Sequence, residues 1–250
     1  MNKKLQQALM DRLVAMADDE VILGHRDSEW TGHAPILEED IAIANLAQDE
    51  IGHAIIWYEL AEPFTGNDAD SMAYFRDARQ FRNVQMVELP NHDWAFTMLR
   101  HYLYDAYELA LLTRLVESKF EALAKAAEKV RNEEVYHFRH TSDWVERLGL
   151  GTEESNTRMQ RALDHLWPYA LQLFRPMLLD DTLIEADYFP ELGELRSAWE
   201  QVVIPHLEKS DLKVPDAEPI YAHRHHHTEH LVDLLADMQM VARSLPDAVW

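Results

Sequence analysis

The sequence predicts an all-α protein, and three observations support this class. Apolar residues recur at spacings of three, four or seven over four long stretches, which is the periodicity of amphipathic helices. No run of residues alternates in the way that a half-buried strand requires. The 250 residues include only 7 glycines, which disfavours a turn-rich all-β fold. Because neither an internal repeat nor a linker marks a boundary, residues 1–250 are predicted to form a single helical domain.

The helices are predicted in order along the chain. The four long ones are expected at residues 5–24, 36–61, 93–118 and 121–148. Helix breakers separate the first three, with Gly32 and Pro35 after the first helix and Pro63 and Gly66 after the second. Weaker helical patterns follow at residues 155–174, 190–207 and 228–244, and a loop is expected at 210–220.

Composition excludes several classes of function. The formal net charge of −22 disfavours binding to nucleic acid or to an anionic membrane, because both are polyanions. The chain has no cysteine, which excludes disulfides, zinc–thiolate sites and iron–sulfur clusters. No secretory signal is visible near the first residue, and no window approaches the roughly 20 apolar residues of a membrane span. A cytoplasmic protein is therefore expected.

Two of the predicted helices carry the pattern Glu-x-x-His, as Glu50–His53 and as Glu134–His137. Residues three apart lie on one face of a helix, so each pair can direct a carboxylate and an imidazole at one point. A single match of so short a pattern occurs easily by chance, so the neighbouring helices decide its meaning.

The helix before each pair carries a glutamate on an apolar stripe. Glu20 lies 30 residues before Glu50, and Glu108 lies 26 residues before Glu134. At about 1.5 Å of rise per residue, a helical hairpin of this length returns to its starting height. Carboxylate-bridged di-iron bundles take one Glu from each of two helices and Glu-x-x-His from each of the other two. The predicted metal site therefore comprises Glu20, Glu50, His53, Glu108, Glu134 and His137.

This set of carboxylates and imidazoles suits two iron ions, with manganese as the alternative. If iron binds, Glu50 and Glu134 would bridge the ions, and the other four residues would bind one ion each. Two different explanations stay open: a chance match in a chain with 45 acidic residues, and pairing of Glu20 with an arginine of a neighbouring helix. A second cluster contains His223, His225, His226, His227 and His230. A polar loop leading into the last helix is preferred there over a second metal site.

A set of short stretches spans nearly the whole chain and is specific when taken together. They are EWTGHAP at 29–35, LEED at 37–40, ANL at 44–46, FRN at 81–83, VELPN at 87–91, ERLG at 146–149, HTEH at 227–230 and MQ at 238–239. In these stretches the chain resembles the PaaA/PaaC family of phenylacetate-degradation proteins, and in particular its PaaC members. The resemblance implies a ferritin-like four-helix bundle with additional C-terminal helices.

The resemblance also implies a role in aerobic phenylacetate catabolism. The family forms a multicomponent di-iron monooxygenase that epoxidises the ring of phenylacetyl-CoA and takes electrons from a separate reductase. In that complex PaaA carries the di-iron site and binds phenylacetyl-CoA, and PaaC is its structural partner with a degenerate site. An oligomer with PaaA and other epoxidase subunits is therefore expected. This sequence departs from the PaaC pattern because it keeps all six ligand-type residues, which leaves its own catalytic activity open.

Three functions are compatible with these features. The first is an epoxidase subunit with its own di-iron site, and the second is a non-catalytic scaffold whose site holds no metal. The third is a stand-alone ferritin-like oxidase or metal store that uses two iron or two manganese ions. Iron content separates the scaffold from the other two functions, and co-purification with a homologous chain separates the stand-alone protein from the first two.

Overall fold

The computed structural model describes residues 1–246 and 248, and these residues form ten α-helices and no strand. In chain order the helices are α1 (Lys3–Ser28), α2 (Leu37–Thr65), α3 (Ala69–Tyr74), α4 (Gln85–Glu88), α5 (Trp94–Leu115), α6 (Glu121–Gly149), α7 (Glu153–Ala170), α8 (Asp180–Glu185), α9 (Leu192–Lys209) and α10 (His230–Ser244). Two 3₁₀ turns occupy Ala78–Gln80 and Leu171–Phe174. The predicted all-α class is confirmed, and the ferritin-like arrangement stays a prediction.

The chain forms two compact units. The first comprises Met1–Pro90 and the described part of Ala222–Trp250, and the second comprises Asn91–Tyr221. The single domain expected from the sequence stays a prediction. Every helix in the described part of the chain is too short or too polar to cross a membrane. The cytoplasmic location is not tested by this finding.

The first unit is built on a hairpin of α1 and α2. Asn2 caps α1, because its side-chain oxygen accepts a hydrogen bond from the Leu5 amide at 2.8 Å. α2 ends where Gly66 adopts a φ of 71°, the left-handed conformation that favours glycine. Pro63 lies inside the last turn, so α2 extends beyond its predicted end at residue 61. A proline there removes one backbone hydrogen bond without ending the helix.

Three shorter helices complete the first unit. α3 packs on α2, α4 packs on α1, and α10 packs on both α3 and α4. Gln239 of α10 donates from Nε2 to the carbonyl oxygens of Ala73 and Arg76, at 3.0 and 2.9 Å. The sequence did not predict α3 and α4, because helices of 6 and 4 residues are too short to show a period.

The second unit is built on a hairpin of α5 and α6, and α7 and α9 pack on both helices. The indole nitrogen of Trp199 in α9 donates to the Leu103 carbonyl of α5 at 3.0 Å. The last residue of α6 is Gly149, and a β-carbon there would overlap the carbonyl oxygen of Ser210. Glycine therefore lets the ends of α6 and α9 meet. The short α8 was not predicted, for the same reason as α3.

Candidate metal centre

Three ligand-type side chains meet inside the first unit. Glu20 comes from α1, and Glu50 and His53 come from α2; their exposed fractions are 1%, 0% and 1%. One ligand atom of each lies within 4.8 Å of the others. The Nδ1 atom of His53 lies 3.9 Å from Oε2 of Glu20. Two carboxylates and an imidazole at this spacing form half of the predicted set and can bind iron or manganese.

Gly24 brings α1 and α2 close together at this cluster. It lies one turn after Glu20, and a β-carbon at position 24 would be 2.9 Å from Cβ of Glu50 and 3.1 Å from the Ala47 carbonyl oxygen. Both atoms are held by the α2 backbone, so a larger residue would push the helices apart. Glycine inside a helix is less favourable than alanine by roughly 0.5–1 kcal/mol, and this close approach explains its presence.

Glu20 is the last of three consecutive buried carboxylates on α1, and the other two bind arginines. Oδ1 of Asp18 accepts a hydrogen bond from the Tyr58 hydroxyl at 2.5 Å and another from the guanidinium of Arg76. Burial, and then the negative charge of Asp18, raise the pKa of Tyr58 well above its ordinary value. Burial is the largest single influence on the pKa of Arg76 and lowers it, but the charges of Asp18 and Tyr58 and the hydrogen bonds to both together outweigh burial, so the pKa is raised.

Asp19 joins α1 to two distant segments. Its Oδ2 accepts a hydrogen bond from Nη1 of Arg224 at 2.7 Å, and its Oδ1 accepts one from the Val84 amide at 2.7 Å. Nη1 of Arg224 also donates to the Arg82 carbonyl at 3.0 Å. Burial raises the pKa of Asp19 above its ordinary value, although the charge of Arg224 opposes this rise.

In the second unit, the two predicted ligands of α6 are in direct contact. Nδ1 of His137 lies 2.7 Å from Oε1 of Glu134, and both side chains are fully buried. Glu108 of α5 is also buried, with 3% of its surface exposed. Within residues 1–246 and 248, no group of three ligand atoms lying within 4.8 Å of one another includes Glu108. Its role as a ligand, and the convergence of all six residues, stay predictions.

Sequence reasoning missed two further ligand-type residues, His101 and Asp105 of α5. Nδ1 of His101 lies 2.5 Å from Oδ1 of Asp105, and the Thr141 hydroxyl of α6 donates to Oδ2 of Asp105 at 2.7 Å. The rings of His101 and His137 meet edge to face, with centroids 6.1 Å apart. A carboxylate bonded to an imidazole fixes the orientation of its ring. Their spacing could have identified them, because residues 101, 105 and 108 lie on one face of a helix and so place His101 and Asp105 beside the predicted ligand Glu108.

The histidines at positions 223, 225, 226 and 227 lie in an irregular segment that leads into α10. His223, His225 and His226 are exposed. In the part of the chain that the structure describes, none of them belongs to a group of three ligand atoms lying within 4.8 Å of one another. His227 instead contacts Glu88, with Nδ1 at 2.6 Å from Oε1. The amide and hydroxyl of Thr228 both donate to Oε2 of Glu88, at 2.6 and 2.7 Å.

Comparison with known proteins gives similarity over almost the whole chain. The sequence profile described as phenylacetic acid catabolic protein matches residues 1–250. The chain is 39% identical over 238 residues to the C subunit of 1,2-phenylacetyl-CoA epoxidase from Escherichia coli (strain K12), which covers 94% of this chain and 96% of that protein. It is 24% identical over 221 residues to the A subunit of the same epoxidase and strain, covering 85% of this chain and 70% of that protein.

Proposed function

The chain belongs to the phenylacetic acid catabolic protein family, as its motifs predicted, and we propose that it is one component of a multicomponent phenylacetyl-CoA 1,2-epoxidase. The 39% identity to the C subunit of such an epoxidase, across nearly the full length of both chains, carries this proposal. The weaker similarity to the A subunit supports partnership between homologous chains. We expect an oligomer in which an A-type chain is catalytic, further epoxidase subunits take part and a separate reductase supplies electrons.

The buried ligand group of the first unit supports a metal site in this chain. Glu20, Glu50 and His53 supply oxygen and nitrogen donors, and the chain has no thiolate, so the donor set fits iron or manganese. By the sequence pattern, the matching residues of α5 and α6 would complete a ligand set for two ions. Bound iron would supply redox chemistry toward O2.

The residues of this chain would hold and orient that site. Two carboxylates buried together repel one another, and a cation between them relieves the repulsion. Almost no surface of Glu20, Glu50 or His53 is exposed, so bulk water is kept away from the donor atoms. In the second unit, the bond from Thr141 to Asp105 and the contact of Asp105 with His101 fix the orientation of one imidazole.

The experiment that tests this function is co-expression with an A-type chain in medium supplemented with iron. We expect the two chains to co-purify and to epoxidise phenylacetyl-CoA when a reductase is added. Iron per chain is then measured in the complex and in the chain expressed alone. A Glu50→Ala chain should lose its iron, and a chain with Glu59→Ala, an exposed residue of α2, should keep it.

A scaffold and a stand-alone protein would give different results in the same experiment. A chain that joins the active complex but never contains metal is a non-catalytic scaffold, and the proposal of a metal site in this chain is then wrong. A chain that binds iron or manganese but does not associate with an A-type chain is a stand-alone oxidase or metal store. That second result would overturn the proposed function.

A further inference from the structure

We infer that Arg76 and Arg224 are positioning residues for the metal centre proposed above. They fix the rotation of α1 about its own axis and thereby hold Glu20 opposite Glu50 and His53. This inference rests on the proposed metal site and adds residues that lie outside its ligand set.

The three consecutive carboxylates of α1 leave the helix in three directions, because successive residues are about 100° apart around the axis. Asp18 is bound by Arg76, and Asp19 is bound by Arg224. Two attachments that differ by about 100° define the rotation of a rigid helix. The direction of the third carboxylate, that of Glu20, is then determined.

Each arginine also binds backbone next to α1, which makes its attachment rigid. Nε of Arg76 donates to the Met72 carbonyl at 2.5 Å, and its Nη1 donates to the Gln80 carbonyl at 3.0 Å. Nη1 of Arg224 donates to the Arg82 carbonyl at 3.0 Å. Both side chains are buried, with 8% and 7% of their surface exposed. Asp18 and Asp19 are therefore tied to one segment, residues 72–84, which packs beside α1.

A metal site is sensitive to this rotation. At roughly 5–6 Å from the helix axis, a rotation of about 20° moves the tip of a side chain by about 2 Å. Ligand distances in metal sites hold to about 0.2 Å. Loss of either attachment should therefore weaken metal binding before it unfolds the helix, since the apolar face of α1 still packs on α2.

The test is a titration of the full-length chain with Co(II), a spectroscopic substitute for Fe(II), followed by its visible absorption. We expect Arg224→Met to weaken Co(II) binding by about tenfold to hundredfold, the range seen when groups that support metal ligands are removed. Arg224→Lys should restore part of the affinity, because it returns the positive charge. Urea unfolding measures the stability of each variant in parallel.

Arg243→Met is the matched control. Arg243 also joins the C-terminal segment to residues 74–77, through the Tyr74 and Arg76 carbonyls and Asp77, but it binds neither Asp18 nor Asp19. We expect this variant to lose stability and to keep the Co(II) affinity of the wild type. A merely structural role for Arg224 would instead give the two variants the same affinity.

The outcomes separate this inference from the proposed function. If a folded Arg224→Met chain binds Co(II) with the affinity of the wild type, the positioning role is overturned and the proposed metal site is unaffected. No Co(II) binding by the wild type overturns both the positioning role and the metal site, whereas co-purification with an A-type chain still tests the epoxidase assignment. If Arg224→Met does not fold, Asp19→Asn removes the same ion pair at constant size, and an unchanged affinity in that variant overturns the inference.

Discussion

Gly24 of α1 and Glu50 of α2 face each other with no room for a β-carbon, which would lie 2.9 Å from Cβ of Glu50. This close approach of the two helices thus falls at a predicted metal ligand. The separation of the helices there is set by a single glycine.

Gly24→Ala should therefore lower the free energy of unfolding by about 1–3 kcal/mol, the usual range for overpacking. The added methyl group would press on Cβ of Glu50 and on the Ala47 carbonyl, and neither can rotate away. Gly52→Ala on α2 is the control, because a β-carbon there meets nothing within 4 Å. The free energy of unfolding of that variant should rise by about 0.4–1 kcal/mol. Urea unfolding measures the stability of both variants. Equal changes in their free energies of unfolding would contradict the close approach of the two helices at Gly24.

Fe(II) or Mn(II) should raise the melting temperature of the wild-type chain. A ligand that binds only the folded state adds RT ln(1 + [L]/Kd), about 2.7 kcal/mol at one hundred times Kd. Glu50→Ala or Glu134→Ala should abolish the rise, since each is predicted to bridge two ions. Glu59→Ala should keep it. Melting curves at neutral pH, with and without metal, measure the effect, and a wild-type curve that does not move would favour the scaffold.

Thr228→Val should destabilise the first unit by about 1.5–3 kcal/mol, the range for a hydrogen bond to a charged group. The hydroxyl of Thr228 donates to the buried Glu88 at 2.7 Å, and valine has the same shape without a donor. Thr228→Ser keeps the hydroxyl donor and should lose less than half as much stability as Thr228→Val. Chemical unfolding of the two variants compares them directly; a serine chain as unstable as the valine chain would argue against the hydroxyl bond.

Stability should fall on acidification below about pH 6.5. Burial lowers the pKa of His25 and of His165 from the ordinary value of 6.5, and the charge of His92 lowers that of His165 further. Below pH 6.5 the unfolded chain therefore binds more protons than the folded chain, and the free energy of unfolding decreases as the pH falls. The stability that the folded chain gains from keeping these two histidines neutral is fully present above this pH and is lost below it.

Melting temperatures measured at about one pH unit above and one below 6.5 give this pH dependence. His165→Gln should reduce the difference between the two values, because glutamine does not titrate. His33→Gln changes an exposed histidine and should leave the difference as it is in the wild type. A difference that is the same in all three chains would show that other groups cause the acid sensitivity.

The long helices and the local ligand pairs could be predicted from the sequence, because both depend on residues a few positions apart. The contact of Glu134 with His137 follows from a spacing of three on one helix. The separate environments of Asp18, Asp19 and Glu20 could not be predicted. Their partners come from far along the chain, with Arg76 58 residues away from Asp18 and Arg224 205 residues away from Asp19. The local pattern singles out Glu20 on its apolar stripe, but it does not show which partners Asp18 and Asp19 bind.

His101 and Asp105 were missed for a different reason. Their spacing of four on α5 is visible in the sequence, but di-iron bundles take only one glutamate from such a helix. Only the packing of α6, which brings Thr141 and His137 beside them, shows that they belong to a buried polar cluster.

The bond between Asp19 and Arg224 sets an order of events during protein synthesis. At about 5–20 residues per second, the 205 residues between them take roughly 10–40 s to translate. During that interval α1 has left the ribosome with a carboxylate that can accept its hydrogen bond from the Val84 amide but whose arginine partner does not yet exist. The hairpin of α1 and α2 can form early, but its burial of Asp19 is completed only after translation reaches the C-terminal segment. A ribosome that stalls before Arg224 should therefore release a chain whose first helical hairpin is susceptible to proteases.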